Sequence, residues 1–542
     1  MTDWRRIEQL QRLLKGEIGA IHKDWGGKIP VALLYPNTYS VGMSALGLHA
    51  LYRLFNAEPD FVAERVFYDG KETDAPLAVE SQRPLGAFPF IACSMTYELD
   101  YFHFVHMLRQ ADIPLRADQR EEDDPIVLMG GPAVTANPMP LAPFVDAFCI
   151  GEVEPVIAPL LAALRSRLDL SRDDTVDALS RIPGFYVPAR PHLPVARQWL
   201  RDLDAFPTHS EVLTRHTEFG DMYLIEIARG CGRGCRFCLA GYVYRPMRER
   251  SLDSIVTQAK AGLAHRKKMG LVSAAVSDYS RRDELVAHLR QMGAKISVSS
   301  LRADTLSPAL LQALAESGTR TLTLAPEAGS DRLRRAINKN ITEEQILAAV
   351  AMARQARFPE LKLYFMIGLP GETDDDIEGL CALSESAGRA FGGKVTLSLS
   401  PFVPKAHTPF ARSPMASAET LEARLAAVRA RLRSAGISVK SDSAAWARVQ
   451  GVLARGGAEL ADALASMPAV SLPVWRGALA ARGLAEAAYL DAIPTSRPLP
   501  WEGILDSGIA DTYLLHELRA AEQCRATPPC PPSDCARCGV CP

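Results

Sequence analysis

The sequence MYLIEIARGCGRGCRFC occupies residues 222–238. Its first nine residues are mostly apolar and end at Gly230, which predicts a strand followed by a loop. Cys231, Cys235 and Cys238 then stand within eight residues. Three thiolates on such a glycine-containing loop can surround one compact inorganic centre. A structural zinc site needs four protein ligands, and no fourth Cys or His stands nearby. The spacing therefore favours a 4Fe-4S cluster with one open iron, and zinc with a distant fourth ligand remains the alternative.

Apolar segments that alternate with helical patterns continue after the cysteines. Further strands are predicted at 271–277, 295–302, 319–329, 361–370 and 394–404. Together with the first strand they make six βα units, which predicts a partial parallel (β/α)6 barrel over 205–418 rather than a complete eight-unit barrel. Ala, Arg and Leu at helical spacing then predict a mainly helical region over 419–520, and a Cys-rich tail fills 521–542.

The first third of the chain carries a second alternating series. Strands are predicted at 28–36, 61–69, 88–95, 125–131 and 145–152, with helices between them. Such repeated βα units predict an α/β fold with a doubly wound, Rossmann-like parallel sheet over 28–200. Small and polar residues follow these strands, at the edge where doubly wound sheets bind ligands. Residues 1–27 are predicted to contain an amphipathic opening helix.

Composition narrows the class of protein. Of the 542 residues 48% are hydrophobic, and 61 Lys and Arg face 63 Asp and Glu, for a net charge of -2. No global cationic field exists to drive non-specific nucleic-acid binding. No apolar run reaches the ~18 residues of a membrane span, and the N-terminus lacks a signal-type apolar segment. We expect a cytoplasmic protein with no membrane partner, in which the 11 cysteines are poor candidates for disulfides and better candidates for metal or redox chemistry.

The cysteine spacing, with the aromatic Phe237 before the last cysteine, resembles the signature of the radical S-adenosylmethionine (SAM) superfamily. The resemblance implies that Cys231, Cys235 and Cys238 hold a 4Fe-4S cluster whose fourth iron is chelated by SAM. It also implies a reductant such as flavodoxin or ferredoxin, whose electron splits SAM to methionine and a 5′-deoxyadenosyl radical. That radical then abstracts a hydrogen from the substrate.

Segments downstream are similar to strand ends of the same superfamily. They are Ser277-Asp278-Tyr279, Ser299-Ser300-Leu301-Arg302, Ala325-Pro326-Glu327-Ala328-Gly329-Ser330 and the run from Tyr364 to Thr373. Residues 404–410 are similar to the closing segment of a subgroup that includes methylthiotransferases. The resemblance implies the cofactor-binding residues Phe237, Ser277, Asp278, Ser299, Glu327, Ser330, Gly368 and Gly371. The alternative roles are a surface ion pair for Glu327 and a helix N-cap for Asp278.

The segment 28–200 resembles the cobalamin-binding-type domain that precedes many radical SAM barrels. The matching residues are Gly130-Gly131-Pro132, Asn137-Pro138, Asp146 and Gly151-Glu152-x-Glu154. One departure concerns the pattern Asp-x-His-x-x-Gly, whose His coordinates cobalt in the family. After the first strand this chain instead has Asn37-Thr38-Tyr39-Ser40-Val41-Gly42. Cobalamin therefore stays one possible cofactor beside the cluster and SAM.

The tail contains a second group of cysteines. It reads Cys530-x4-Cys535-x2-Cys538-x2-Cys541, with Cys524 six residues earlier. Thiolates this close repel one another unless a metal neutralises them, and the core resembles part of a ferredoxin ligand run. The alternatives are an auxiliary iron-sulfur cluster, a zinc site and a redox-active or disordered tail. The isolated Cys93, Cys149 and Cys381 are predicted to be small hydrophobic residues.

The resemblance predicts a radical SAM enzyme, and methylation of an unactivated carbon is the reaction expected if cobalamin binds. Without cobalamin, we expect radical modification of an RNA or a protein, as in methylthiotransferases. The substrate class stays open among small molecules, RNA and proteins. A non-catalytic iron-sulfur or zinc protein that binds nucleic acid is a third alternative, because basic segments occur at 245–250, 265–268 and 332–335. The more ordinary interpretation of such segments is a solvated helix face.

Overall fold

A parallel sheet forms the first third of the chain. The computed structural model describes residues 4–70, 75–531 and 535–541. After helix α1 (Trp4–Lys15), the strands of this sheet are β1 (Ile29–Tyr35), β2 (Phe61–Phe67), β3 (Phe90–Ser94), β4 (Ile126–Gly130), β5 (Ala147–Cys149) and β6 (Phe185–Tyr186). Their order is β2-β1-β3-β4-β5-β6, and only the β5–β6 pair is antiparallel. The first five strands thus have the flavodoxin-like order 2-1-3-4-5, with a switch point between β1 and β3.

Helices cover both faces of this sheet. They are α2 (Tyr39–Gly42), α3 (Leu46–Ala57), α4 (Asp100–Gln110), α5 (Pro132–Ala136), α6 (Ile157–Ser166) and α7 (Arg172–Ser180). Because strand side chains alternate between faces, Val31 and Leu33 join the core beneath α3, whereas Ala32 and Leu34 join a larger core beneath α4. The larger core continues into the second half of the chain.

A second set of parallel strands forms the barrel. The remaining strands are β7 (Val195–Ala196), β8 (Tyr223–Glu226), β9 (Ala228–Arg229), β10 (Arg248–Glu249), β11 (Lys268–Val272), β12 (Lys295–Ser297), β13 (Thr321–Glu327), β14 (Glu360–Ile367), β15 (Lys394–Pro401), β16 (Ser438–Ser441) and β17 (Leu505–Asp506). Two parallel sheets, β12-β11-β8 and β13-β14-β15-β16, are joined by a parallel bridge between Leu301 and Leu324. The mixed α/β fold with parallel strands is therefore as predicted.

Helices alternate with these strands and continue beyond them. They are α8 (Ala240–Val243), α9 (Leu252–Leu263), α10 (Arg282–Gln291), α11 (Pro308–Glu316), α12 (Asp331–Ala336), α13 (Glu343–Gln355), α14 (Asp374–Phe391), α15 (Ala418–Ser434), α16 (Ala444–Arg455), α17 (Ala461–Ala465), α18 (Leu472–Ala480), α19 (Ala487–Leu490) and α20 (Asp511–Glu522). Hydroxyl side chains start several of them: Ser251 accepts from the Ser254 amide, and Thr342 forms a capping box with Gln345. Within the described residues no helix combines the length and apolar character needed to span a bilayer.

Two local predictions differ from the structure. Strand β16 lies within the region predicted to be mainly helical and pairs in parallel with β15. The sequence gives no signal for this strand, because Val439 is the only apolar side chain among its four residues. The predicted strand 271–277 instead ends at Val272, and Val276–Asp278 forms a 3-10 turn. This turn carries Asp278 away from the strand axis toward the cysteines.

Candidate active site

The cysteine loop begins where the first barrel strand ends. Gly230 has φ +84°, and a Cβ there would lie 2.3 Å from the Tyr244 carbonyl oxygen, so only glycine fits this entry to the loop. Cys235 is buried, and its carbonyl accepts a hydrogen bond from the Cys238 amide at 3.1 Å. Burial and the charge of Cys235 raise the pKa of Cys231, and they raise that of Cys238 to about 12. As free thiols Cys231 and Cys238 are therefore protonated at neutral pH.

Cationic side chains surround these thiols. Lys339 is 6% exposed and donates to Glu327 Oε1 at 3.1 Å. Burial acts to lower the pKa of Lys339, but the charges of Glu327 and Cys235 hold it above its ordinary value. Arg233, inside the loop, pairs with Asp278. Cations beside cysteines favour thiolates and an anionic group bound to them.

The donor set fits an iron-sulfur cluster by its chemistry. Three cysteines on one loop, close enough to shift one another's pKa, supply the thiolate ligands that such clusters use. Across residues 4–70, 75–531 and 535–541, no group of three or more His, Cys, Asp or Glu side chains is placed to hold a metal ion. The fit therefore rests on the type of donor and its cationic surroundings.

Asp278 and Glu327 are the predicted cofactor-binding residues that lie beside the cysteine loop. Asp278 pairs with Arg233, so it is an ion-pair partner within the site. Glu327 ends β13 with φ +70°, next to a register shift in the strand pair. Its ion pair with Lys339 is thus buried at the cysteines rather than on the surface.

The predicted serines and glycines have structural roles or lie apart. Ser277 is buried and hydrogen-bonded to the Thr305 hydroxyl at 2.8 Å, and Ser299 is exposed between β12 and the bridge at Leu301. Ser330 is the N-cap of α12, where it accepts from the Leu333 amide at 3.1 Å.

Gly368 and Gly371 differ in their surroundings. Gly368 has φ +75°, and a Cβ on it would lie 2.7 Å from Leu421 Cδ2, so its small size serves packing against α15. Gly371 has φ +74° and open space where a Cβ would stand. Only Gly371 thus combines a turn conformation with room for a ligand.

Two cavities flank the cysteine loop. The first, of about 460 Å³, lies between the carboxyl ends of β3, β4 and β5 and the first barrel strands, where Arg229 and Gly230 line it. Cys93 and Cys149, predicted to be plain hydrophobic residues, line it too. The second, of about 510 Å³, includes Phe237. Both volumes are in the range of cofactor and substrate sites, ~300–1,000 Å³.

A buried ionic network joins the first sheet to the barrel. Glu152, which follows β5, accepts from Arg248 at 2.8 and 2.9 Å and from Arg229 at 2.8 Å. Arg229 also binds Glu154 and Glu226. The network borders the first cavity. The sequence singles out Glu152 and Glu154, but nothing local marks Arg229 and Arg248 as their partners.

The basic segment 245–250 is not an exposed patch. Arg245, Arg248 and Arg250 are all buried, with exposures of 2%, 8% and 1%. Arg250 pairs with Glu226 of β8. The nucleic-acid interpretation of this segment is therefore wrong, since charges that are neutralised inside the protein offer no surface to phosphates.

The tail lies against the cysteine loop. Cys530, Cys535 and Cys538 line one small cavity together with Gly232 and Gly234 of the loop. Cys524 lies elsewhere, with its Sγ 3.5 Å from Arg332 Nη1. Residues 532–534 and 542, within the predicted Cys-rich tail, are outside the described residues.

Comparison with known proteins identifies the class. The family description "Radical SAM proteins, N-terminal" matches residues 47–188, and "Radical SAM superfamily" matches residues 225–383. An uncharacterized protein of Methanocaldococcus jannaschii is 32% identical over 438 residues, which is 80% of this chain and 90% of the relative. The chain belongs to the radical SAM superfamily of enzymes, which confirms the resemblance. Membership implies a 4Fe-4S cluster, SAM and an electron donor.

One further relative matches a smaller part of the chain, and one solved structure is more distant in sequence. A tRNA-2-methylthio-N(6)-dimethylallyladenosine synthase of Methylococcus capsulatus is 28% identical over 254 residues, 44% of this chain and 54% of that enzyme. The chain thus spans about half the length of this relative. The solved radical SAM methyltransferase TsrM from Kitasatospora setae, with cobalamin and a [4Fe-4S] cluster bound, has a TM-score of 0.50 at 14% identity, covering 71% of this chain and 77% of TsrM. That likeness concerns the fold.

Proposed function

We propose that this radical SAM enzyme uses cobalamin to methylate an unactivated carbon. The observation that carries the proposal is the cavity of about 460 Å³ at the carboxyl ends of β3, β4 and β5. In doubly wound sheets this edge is the ligand site, and here the barrel strands with the cysteine loop close its other side. A ligand held there has one face toward the sheet and the other toward the first barrel strands and Gly230, where the cysteine loop begins.

The walls of this cavity suit a large ligand with an apolar part. Ala50 and Phe55 of α3 and Ala92 of β3 are among the apolar residues that line it. Thr96 and Arg229 are among its polar lining residues. A mainly apolar lining with a few polar groups is the usual character of a cofactor pocket.

The described walls of this cavity offer no imidazole to the ligand. Among the described residues that line the cavity there is no histidine. His49 is occupied elsewhere, with Nε2 3.1 Å from the Met43 carbonyl, and His103 stacks on Tyr68. We therefore expect cobalamin bound without a histidine ligand, in agreement with the missing Asp-x-His-x-x-Gly pattern. The cob(II)alamin form should show no nitrogen splitting from a protein ligand in its electron paramagnetic resonance (EPR) spectrum.

The chain's own residues bind and orient the reactants. Cys231, Cys235 and Cys238 would hold the cluster, and Lys339 and Arg233 balance its negative charge. Cluster, SAM and cobalamin, when bound, supply one-electron cleavage of the sulfonium and a transferable methyl group. Gly371 leaves room for the nucleoside part of SAM beside β14.

The second cavity is the proposed position of the substrate. Its volume is about 510 Å³, and Phe237 of the cysteine loop and Tyr97 of the β3–α4 connection lie on its wall. It therefore borders both the proposed cluster site and the loop at the switch point. Lys405, also on its wall, is held by Glu98 at 2.6 Å, which leaves the cavity polar at one side.

Cobalamin retention separates this function from its alternative. Protein reconstituted without oxygen should retain corrinoid, measured by its absorption per chain. Ala50→Leu fills the cavity from α3 and should lower retention at least about tenfold, since a buried clash costs ~1–3 kcal/mol. Ala57→Leu, at the exposed end of the same helix, is the matched control. Native protein that cleaves SAM but repeatedly fails to retain corrinoid contradicts the cobalamin step.

The alternative is cobalamin-independent modification of an RNA or a protein. Its support is the partial similarity to the tRNA methylthio synthase, together with the second cysteine group in the tail. Comparing modified nucleosides and ribosomal proteins between a deletion strain and its parent tests it directly. Loss of one methylthio group in the deletion strain would favour this function over methylation of a small molecule.

A further inference from the structure

The tail is hydrogen-bonded to the cysteine loop and to the segment beside it. The Cys530 amide donates to the Gly232 carbonyl at 2.7 Å, and a Cβ on Gly232 would lie 3.5 Å from Cys530 Cβ. The Thr527 amide donates to Asn338 Oδ1 at 2.9 Å. The chain therefore fixes the start of the tail between the loop that carries the first cysteines and the segment that carries Lys339.

The fold gathers the tail cysteines at one place. Cys530, Cys535 and Cys538 line the same small cavity, and the charge of each contributes to the pKa of Cys541. Cys538 is 4% exposed, and its carbonyl accepts from the Ala510 amide at 2.9 Å. These backbone bonds hold the segment on both sides of the cavity, and its cysteines are free rather than joined in a disulfide.

A buried cation without a counter-ion faces this cavity. Arg245 is 2% exposed and lies between the rings of Tyr242 and Tyr513, at 4.6 and 5.2 Å from their centres. Its Nη1 is buried without a hydrogen-bond partner, and no carboxylate of the described residues forms a salt bridge with it. Burying an unpaired charge costs free energy, so the surroundings of Arg245 favour a bound anion. A metal centre with four thiolate ligands carries that negative charge.

We propose that Cys530, Cys535, Cys538 and Cys541 bind a second iron-sulfur cluster, with Arg245 as its counter-ion, and that it passes electrons to the cluster of the cysteine loop. Iron rather than zinc is favoured because the tail cysteines share their cavity with Gly232 and Gly234 of the cysteine loop, so the two cysteine groups are neighbours, and zinc has no redox chemistry. The second cluster takes one electron from a reductant of the flavodoxin or ferredoxin class and gives it to the first. The electron finally reduces the sulfonium of SAM, which splits to methionine and the 5′-deoxyadenosyl radical. This transfer rests on membership of the radical SAM superfamily and not on cobalamin.

Metal analysis separates the two clusters. We expect the full chain with Cys231→Ala, Cys235→Ala and Cys238→Ala combined to retain about four irons after anaerobic reconstitution, with an iron-sulfur EPR signal on reduction. In the same background Cys538→Ser should abolish this iron, whereas Cys524→Ser, a cysteine outside the group, should not. Zinc in place of iron, or no metal in the triple variant, overturns the proposal.

A separate measurement tests electron transfer from the second cluster to the first. In the otherwise native enzyme, Cys538→Ser should slow SAM cleavage driven by reduced flavodoxin at least about tenfold. Cleavage driven by dithionite, which can reach the first cluster directly, should change much less. Equal loss with both reductants contradicts the relay. Since a failure of cobalamin binding leaves this comparison intact, the two proposals can fail separately.

Substitutions that remove or keep the charge of Arg245 test its role as counter-ion. Arg245→Met should make the potential of the second cluster more negative, because removing a cation disfavours the added electron. Arg245→Lys keeps the charge, and its second cluster should have a potential close to that of the native protein. This variant is also the control for misfolding, since Arg245 donates a hydrogen bond to the Gly241 carbonyl that the methionine cannot replace. A potential that is the same in all three proteins contradicts the counter-ion role.

Discussion

Arg233 and Asp278 form a bidentate ion pair, with Nε–Oδ2 and Nη2–Oδ1 distances of 2.7 Å each. Arg233 stands between the first two cysteines of the loop, and Asp278 follows the second barrel strand. The pair therefore ties the thiol-bearing loop to the barrel edge. Asp278 is 8% and Arg233 26% exposed, so water screens the pair only partly.

Breaking this pair should weaken the cysteine loop. Asp278→Asn leaves Arg233 with only its longer contact to Asp304, at 3.5 Å, and should cost about 1–3 kcal/mol locally. We expect iron retention and SAM cleavage to fall about tenfold, measured on anaerobically reconstituted protein. Asp283→Asn, at an exposed position of α10, is the control. Unchanged iron content in Asp278→Asn would contradict this role.

The ionic network at Glu152 should matter for global stability. Glu152→Gln removes a carboxylate that two arginines and the Leu200 amide share. Removing one partner of a buried pair costs about 3–5 kcal/mol. We expect the melting temperature to fall by more than about 5 °C in a thermal scan. Glu122→Gln, in a surface pair with Arg167, should change it by less than about 1 °C.

Stability should fall as the pH drops from about 6.5 toward 4. Burial lowers the pKa of His49 to about 4, and His49 Nδ1 accepts from the Glu211 and Val212 amides, so the folded chain needs the neutral ring. The unfolded chain binds a proton near pH 6.5, so acid favours unfolding by up to about 3 kcal/mol. Burial also lowers the pKa of His407 to about 4, so protonation of His407 destabilises the folded chain in the same pH range.

Unfolding experiments across this pH range test the prediction. His49→Gln retains one donor and one acceptor but cannot titrate. It should be less stable at pH 7 and should lose less stability between pH 7 and 5 than the native chain. His192→Gln is the control at an exposed site. The same pH dependence in His49→Gln and the native chain would remove His49 from the explanation.

The two glycines after β14 should respond differently to alanine. Gly368→Ala places a methyl 2.7 Å from Leu421 in a left-handed conformation, so we expect a loss of about 2 kcal/mol or more in unfolding free energy. Gly371→Ala meets no atom within 4 Å and should cost about 1 kcal/mol from its conformation alone. A larger effect of Gly371→Ala on SAM affinity than on stability would support its place beside the nucleoside.

The parallel architecture and the first cysteine group could be predicted from local signals. Strand–helix alternation follows from periodicity, which neighbouring residues carry, and the ligand spacing is contained in eight residues. Strand β16 could not be predicted, because its pairing with β15 rather than its own composition makes it a strand.

The class of enzyme could thus be predicted from the sequence, through the resemblance of the cysteine loop and of the segments after it to the radical SAM superfamily, because each of these motifs is local. Folding was needed to assign the other groups. It brings Gly232 to Cys530 and Glu152 to Arg248, and it buries Arg245, whose position in the sequence predicted an exposed basic segment. Charges and thiols take their roles from neighbours that are far away in sequence, and only packing of the barrel, the first sheet and the tail makes them neighbours.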